Sequence, residues 1–108
     1  MDKTHQLHTG IKDIIQANGV EPIRNIQLAN ILADYSAYDE YPATKVVLKD
    51  VLTNGFGQKI YDAFNKSGKS SLAEIEKIKQ DYSKTTKFKK DVVNYVFDSI
   101  CYGLGLKT

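Results

Sequence analysis

The sequence contains one cysteine, so no internal disulfide can form and nothing marks an oxidising compartment. No apolar run approaches the ~18 residues needed to cross a bilayer. The first ten residues, MDKTHQLHTG, lack the apolar core of a signal peptide. These absences point to a soluble cytoplasmic chain without a membrane partner. Net charge is only +2, too small to imply a polyanion partner by itself. Both histidines, His5 and His8, lie near the N-terminus, and no Ser–His–Asp spacing is present. Sustained period-two alternation is missing, which argues against a sheet. There is no internal repeat, linker or low-complexity segment.

What is present is an ordinary globular composition, 42% apolar and 26% charged over 108 residues. That length suits one domain, residues 1–108, able to bury about two-thirds of its unfolded surface. The most organised stretch is 88–106, FKKDVVNYVFDSICYGLGL. Phe88, Val92, Val93, Val96, Phe97, Ile100, Cys101 and Leu104 recur at helical spacing and form one wide apolar stripe. Lys89, Lys90, Asn94 and Asp98 fall opposite. A stripe of that width predicts a central helix buried against several neighbours, with Gly103 and Gly105 ending it and Thr85 or Thr86 opening it.

Five further helices precede it. Leu7, Ile11, Ile14 and Ile15 share a face over 4–17, with Asp2 or Thr4 as cap, Gly10 as a weak point and Asn18-Gly19 as the stop. Residues 20–24 read as a connector containing Pro22. Asn25 then caps a helix striped by Leu28, Ala29, Ile31, Leu32 and Tyr35. Pro42 suits the first turn of a third helix, which is expected to bury Ala43, Val46, Val47, Val51 and Leu52 and to stop at Asn54-Gly55. Gly55-Phe56-Gly57 reads as a short hinge before a fourth helix carrying Ile60, Ala63 and Phe64. Ser71 and Glu74 match a capping box for a fifth, striped by Leu72, Ile75, Ile78 and Tyr82 and placed at the edge of the bundle. The expected fold is all-α: a compact bundle of about six short helices with the C-terminal helix central.

The run IRNIQLANILADYSAYDEYPATKVVLKDVLTNGFGQKIYD resembles a small all-helical accessory module of bacterial multidomain proteins. The parts that carry the resemblance are Leu28, Leu32 and Asp34, then the lysines and aliphatics of 45–52, then Gly55-Phe56, and finally the closing helix with its Gly-Leu end. Residues 11–106 are covered for the most part. The resemblance implies an accessory or interaction role beside effector, kinase-like or signalling domains, either as an isolated domain or as part of a longer protein. It brings no catalytic residues.

The remaining chemistry is sparse. Gly68-Lys69-Ser70 resembles the tail of a phosphate-binding loop, but Ala63 stands where the motif requires glycine and no strand precedes it. His5 and His8 are three apart and lack the third and fourth ligands of a zinc site. Cys101 falls on the apolar stripe and reads as an inert core thiol. Asp34, Asp39 and Glu40 surround a tyrosine-rich turn that looks solvated, which disfavours acid–base work. No cofactor or metal is expected, and the chain does not read as an enzyme.

Two surfaces carry the functional expectation. Tyr35, Tyr38 and Tyr41, with Phe56, form a candidate contact surface for a protein partner or a second copy, because rings add contact area at low entropic cost. Residues 66–90 hold eight lysines against Glu74, Glu76 and Asp81, a local balance of +5. Lys84, Lys87, Lys89 and Lys90 gather at one inter-helix corner, a candidate contact for nucleic acid or another polyanion. The corner lacks arginine, the usual residue of bidentate phosphate and base recognition. The leading expectation is a non-enzymatic helical interaction or regulatory module; the alternative is polyanion binding at that corner.

Overall fold

Val92, Val93, Val96 and Ile100 are β-branched and only moderate helix formers, so their helix depends on what packs around it. A computed structural model describes residues 7–24, 26–34 and 42–106 and shows that packing. The described residues form α1 (Leu7–Asn18), α2 (Gln27–Asp34), α3 (Ala43–Thr53), α4 (Phe56–Ser67), α5 (Leu72–Thr85) and α6 (Lys90–Gly103). Two 3-10 turns, Glu21–Arg24 and Gly68–Ser70, join them, and no strand occurs among the described residues. The chain is all-α. Asp2, Thr4, His5, Asn25, Tyr35, Tyr38, Asp39, Glu40 and Tyr41 lie outside the described residues.

The C-terminal helix is central. Val92, Val93, Val96, Phe97, Ile100, Cys101 and Leu104 are all buried, and α6 packs on α1, α3 and α5. Among the described residues the α1–α6 interface is the most extensive. It includes a close helix approach: a Cβ added at Gly103 would lie 2.4 Å from Ile11 Cγ2 and 3.2 Å from the Lys12 backbone nitrogen. Gly103 is thus a packing position as well as the last residue of α6. The chain turns away two residues later, where Gly105 takes φ +82°, a conformation that costs glycine little. The Leu106 amide donates to the Cys101 carbonyl at 2.8 Å and the Gly105 amide to the Tyr102 carbonyl at 3.0 Å, a Schellman closure.

Several expected details are corrected. Residues 21–24 form a 3-10 turn, not a plain connector, and its Ile23 is fully buried. Gly55-Phe56-Gly57 is not a hinge. Gly55, at φ +87°, ends α3, and Phe56 opens α4 directly. Gly57 is buried where α4 meets the Ile23 carbonyl. On α3 the buried set is Thr44, Val47, Leu48, Val51 and Leu52, an unbroken i, i+3, i+4, i+7, i+8 stripe. Ala43 and Val46 lie off that stripe and are exposed, while Leu48 is in the core. Ser71 caps nothing through its side chain; its hydroxyl donates to the Gly68 carbonyl at 2.6 Å. Finally, α5 runs through Thr85, whose hydroxyl donates to the Tyr82 carbonyl. Thr86 and Lys89 are extended, so α6 starts at Lys90 and Phe88 lies before it, partly exposed. The second helix packs on α1, α3 and the first 3-10 turn, and α5 packs on α4 and α6.

Candidate interaction groove

A helix with its stripe on Thr44, Val47 and Val51 turns an adjacent face toward the α5–α6 connection. Ala43, Val46, Val47, Asp50 and Asn54 follow i, i+3, i+4, i+7 and i+11 along that face. All five line a trough whose opposite wall is the extended connection and the start of α6. The trough has two parts that meet at Phe88. The first, about 410 Å³, is apolar and is lined by Ala43, Val46, Val47, Phe88 and Val92, with Lys89 and Asp91 at its margin. The second, about 590 Å³, is lined by Asp50, Asn54, Phe56, Tyr82, Thr85, Thr86, Lys87 and Phe88. The two parts lie side by side along α3, whose 11 residues span about 16 Å at 1.5 Å of rise per residue.

The apolar half is open to water. Val46 is 55% exposed and Phe88 37% exposed. With Ile26 they are the exposed large hydrophobic residues among those described, and Val46 and Phe88 share one cleft. The short connection explains Phe88. Its amide donates to Thr86 Oγ1 at 3.3 Å, a local turn that holds the ring outside the helix that follows.

The polar half is built around Tyr82. Its ring is buried, packed edge-on against Phe56 at 5.0 Å and tilted against Phe97 at 5.8 Å. Its hydroxyl donates to Asp50 Oδ2 at 2.5 Å. Burial, and then this bond to a carboxylate, push the phenol well above the ordinary tyrosine range. The neighbouring Thr86 acts weakly in the opposite direction. Asp50 also accepts from Asn54 Nδ2 at 2.9 Å, so its carboxylate is engaged within the chain. The result is a tie between α3 and α5 at the floor of the trough.

The proposed contact residues separate. Phe56 is half-buried against Tyr82, with Lys59 Nζ 4.7 Å from its ring centre, and lines the polar end of the trough. Tyr35, Tyr38 and Tyr41 fall outside the described residues. The lysine corner also divides. Lys87 lines the polar half of the trough and Lys89 the apolar half. Lys84 and Lys90 instead join Lys79, Glu76, Gln80, Ser83 and Asn94 around a polar groove of about 640 Å³ between α5 and α6. In that groove Lys79 is already paired with Glu76 at 2.9 Å.

The other sequence motifs lie apart. Gly68-Lys69-Ser70 is a 3-10 turn leading into α5. His8 meets the Tyr102 ring edge-on at 4.7 Å, with Lys12 over the same ring at 5.4 Å. Cys101 is buried and outside any disulfide. Among the described residues no three His, Cys, Asp or Glu side chains converge as metal ligands, and no helix is long and apolar enough to cross a membrane.

The trough itself was hidden in the sequence, where Val46 and Phe88 both read as core. The available signal was the better register of α3, in which Thr44 and Leu48 complete the stripe and leave Val46 outside it. No protein family, curated protein or solved structure matches the chain.

Proposed function

We propose that this chain is a non-enzymatic helical interaction module whose contact surface is the α3–α6 trough. The observation that carries the reading is the shared exposure of Val46 and Phe88 in one cleft. Contiguous exposed apolar surface rimmed by polar groups is the usual mark of a docking site. A trough along one helix also suits an inserted peptide or helix. Tyr35, Tyr38 and Tyr41 precede α3 in sequence and belong to the reading as further contact residues. So do the cytoplasmic setting and the accessory role that the sequence resemblance implies.

A photo-crosslinking residue at position 46, in the full chain in its native cell, tests the reading. The expected result is a defined adduct that the same residue at exposed position 77 does not give. Absence of an adduct from position 46 would refute it.

The second reading is polyanion binding, favoured by the α5–α6 groove with Lys79, Lys84 and Lys90. It predicts binding of a mixed-sequence RNA or DNA oligonucleotide that falls steeply with salt and drops when Lys84 and Lys90 are changed to glutamate. A null gel shift at low salt removes it.

A further inference from the structure

We infer that the α5–α6 groove binds the phosphate group of a small phosphate monoester, free in solution or as a lipid headgroup, through Lys84 and Lys90. This rests on the second reading above, that the groove receives anions, and adds the chemistry of the ligand.

The groove follows from how α5 lies on the core. Ile75, Ile78 and Tyr82 are its buried stripe. Glu76, Lys79, Gln80 and Ser83 recur at i, i+3, i+4 and i+7 along the bordering face, and Lys84 follows Ser83. Across from them stand Lys90 and Asn94, one turn apart at the start of α6. Every lining residue is polar, and together they carry three ammonium groups against one carboxylate, a balance of +2. The carboxylate, Glu76, is held by Lys79 at 2.9 Å, in a pair whose side chains are 33% and 16% exposed. Lys84 and Lys90 are exposed and pair with no carboxylate among the described residues, so the surplus charge sits on them. Asp81 and Asp91, the carboxylates closest to them in sequence, do not line the groove; Asp91 borders the apolar cleft instead.

Two ammonium groups match one phosphate monoester, which carries a charge of about −1.5 to −2 at neutral pH and three acceptor oxygens. A carboxylate brings one charge and two oxygens, about half of what the groove can meet. The amides of Gln80 and Asn94 and the Ser83 hydroxyl supply neutral donors beside the lysines. A volume of about 640 Å³ suits a small ligand. A nucleic-acid chain finds less here. No aromatic side chain lines the groove for bases to stack on, and no arginine offers a bidentate fork.

The test follows backbone amide resonances of the full, isotope-labelled chain at low salt. Ribose 5-phosphate is the probe, with ribose and acetate as controls. Vesicles of phosphatidylcholine with or without phosphatidic acid, whose headgroup is a phosphate monoester, are compared by co-sedimentation. Ribose 5-phosphate is expected to give saturable shifts at residues 76–84 and 90–94, half-saturated below about 1 mM, and to bind at least about tenfold more tightly than ribose or acetate. Lowering the pH from about 7.5 to about 5 should weaken it about fivefold or more, because the phosphate loses its second charge near pH 6. Lys84→Gln and Lys90→Gln should each weaken it about tenfold, a difference of about 1.4 kcal/mol. Lys87→Gln, in the other cleft, and Val46→Asp should leave it unchanged. Circular dichroism checks that each variant remains folded, as expected for exposed positions.

Binding of ribose 5-phosphate without the vesicles assigns a free ligand. Capture by the phosphatidic acid vesicles, lost in Lys84→Gln, assigns a lipid headgroup. Acetate binding as tightly as ribose 5-phosphate, or unchanged affinity in both lysine variants, overturns the inference. A single-stranded oligonucleotide that binds through Lys84 and Lys90 and is not displaced by excess ribose 5-phosphate also overturns it, and leaves the polyanion reading standing. No binding of the phosphate probes or of the oligonucleotide removes both. Crosslinking from position 46 decides the trough separately.

Discussion

Gly103→Ala tests the packing that holds α6 in place. At the last residue of α6 the change should help by up to about 1 kcal/mol, the full helix-interior preference of alanine over glycine. Here the added methyl would sit 2.4 Å from Ile11 Cγ2 and 3.1 Å from Ile11 Cβ. Ile11 is fully buried, and its Cγ2 is attached directly to Cβ, so the clash cannot be relieved by moving a flexible tip. The α1 backbone is near as well, at 3.2 Å. Separating α1 from α6 would open the largest helix interface among the described residues. Overpacking of this type costs about 1–3 kcal/mol, with larger values where backbone must shift. Set against the propensity gain, the expected net loss is about 1–2 kcal/mol. Urea unfolding is the assay, with an unchanged slope and a midpoint lower by about 1 M for a slope of about 1.5 kcal/mol/M. Ile11→Ala removes the nearest methyl and leaves only the 3.1 Å and 3.2 Å contacts, so in that background Gly103→Ala should cost clearly less, giving a coupling of about 1 kcal/mol. Stabilisation by Gly103→Ala alone, or no coupling to Ile11, would refute the close approach.

Three further outcomes follow from the same geometry. Gly57→Ala should destabilise by about 1–3 kcal/mol in thermal or urea melts, because its methyl would lie 2.3 Å from the Ile23 carbonyl oxygen, a backbone atom with no rotamer to escape into. Val46→Asp should change stability by no more than about 0.5 kcal/mol, whereas Val47→Asp, one residue along and buried, should cost more than about 3 kcal/mol by leaving a charge in the core. Tyr82→Phe should cost about 1–2 kcal/mol at neutral pH through loss of the bond to Asp50. Because the folded chain raises the Tyr82 pKa, the unfolded chain releases that proton first, at the ordinary value of 10.0. The wild-type advantage over Tyr82→Phe is therefore complete below about pH 10 and shrinks as pH rises above it, a trend that paired melts at pH 8 to 11 would show or contradict.

The helices were legible because their stripes are long and their stops are chemical. Ile11, Ile14, Leu28, Leu32, Ile75, Ile78, Val93, Val96 and Ile100 are buried as their spacing requires, and Asn18-Gly19 and Asn54-Gly55 end their helices. What misled was apolar character at a plausible spacing but in the wrong register. Val46 precedes Val47 and shares its chemistry, so periodicity alone did not separate them; Thr44 decides the register, and a buried threonine does not announce itself. Phe88 lies four residues before Val92, as a helical neighbour would, but the hydroxyls of Thr85 and Thr86 close α5 and turn the chain first. The Asp50–Tyr82 tie joins residues 32 apart, a separation at which sequence spacing carries no information. The lysine corner read as one patch because its members are consecutive in sequence; the turn into α6 distributes them over three clefts.

The central claim, that the face of α3 carrying Val46 is a surface for a partner, is tested most directly by titrating the isotope-labelled chain with the partner captured from position 46 and following backbone amide resonances. The account predicts saturable shifts concentrated at Val46, Val47, Asp50 and residues 87–92, with α1 and α4 nearly still. Shifts spread over the α1 surface around His8 and Tyr102, or shifts that do not saturate, would contradict it.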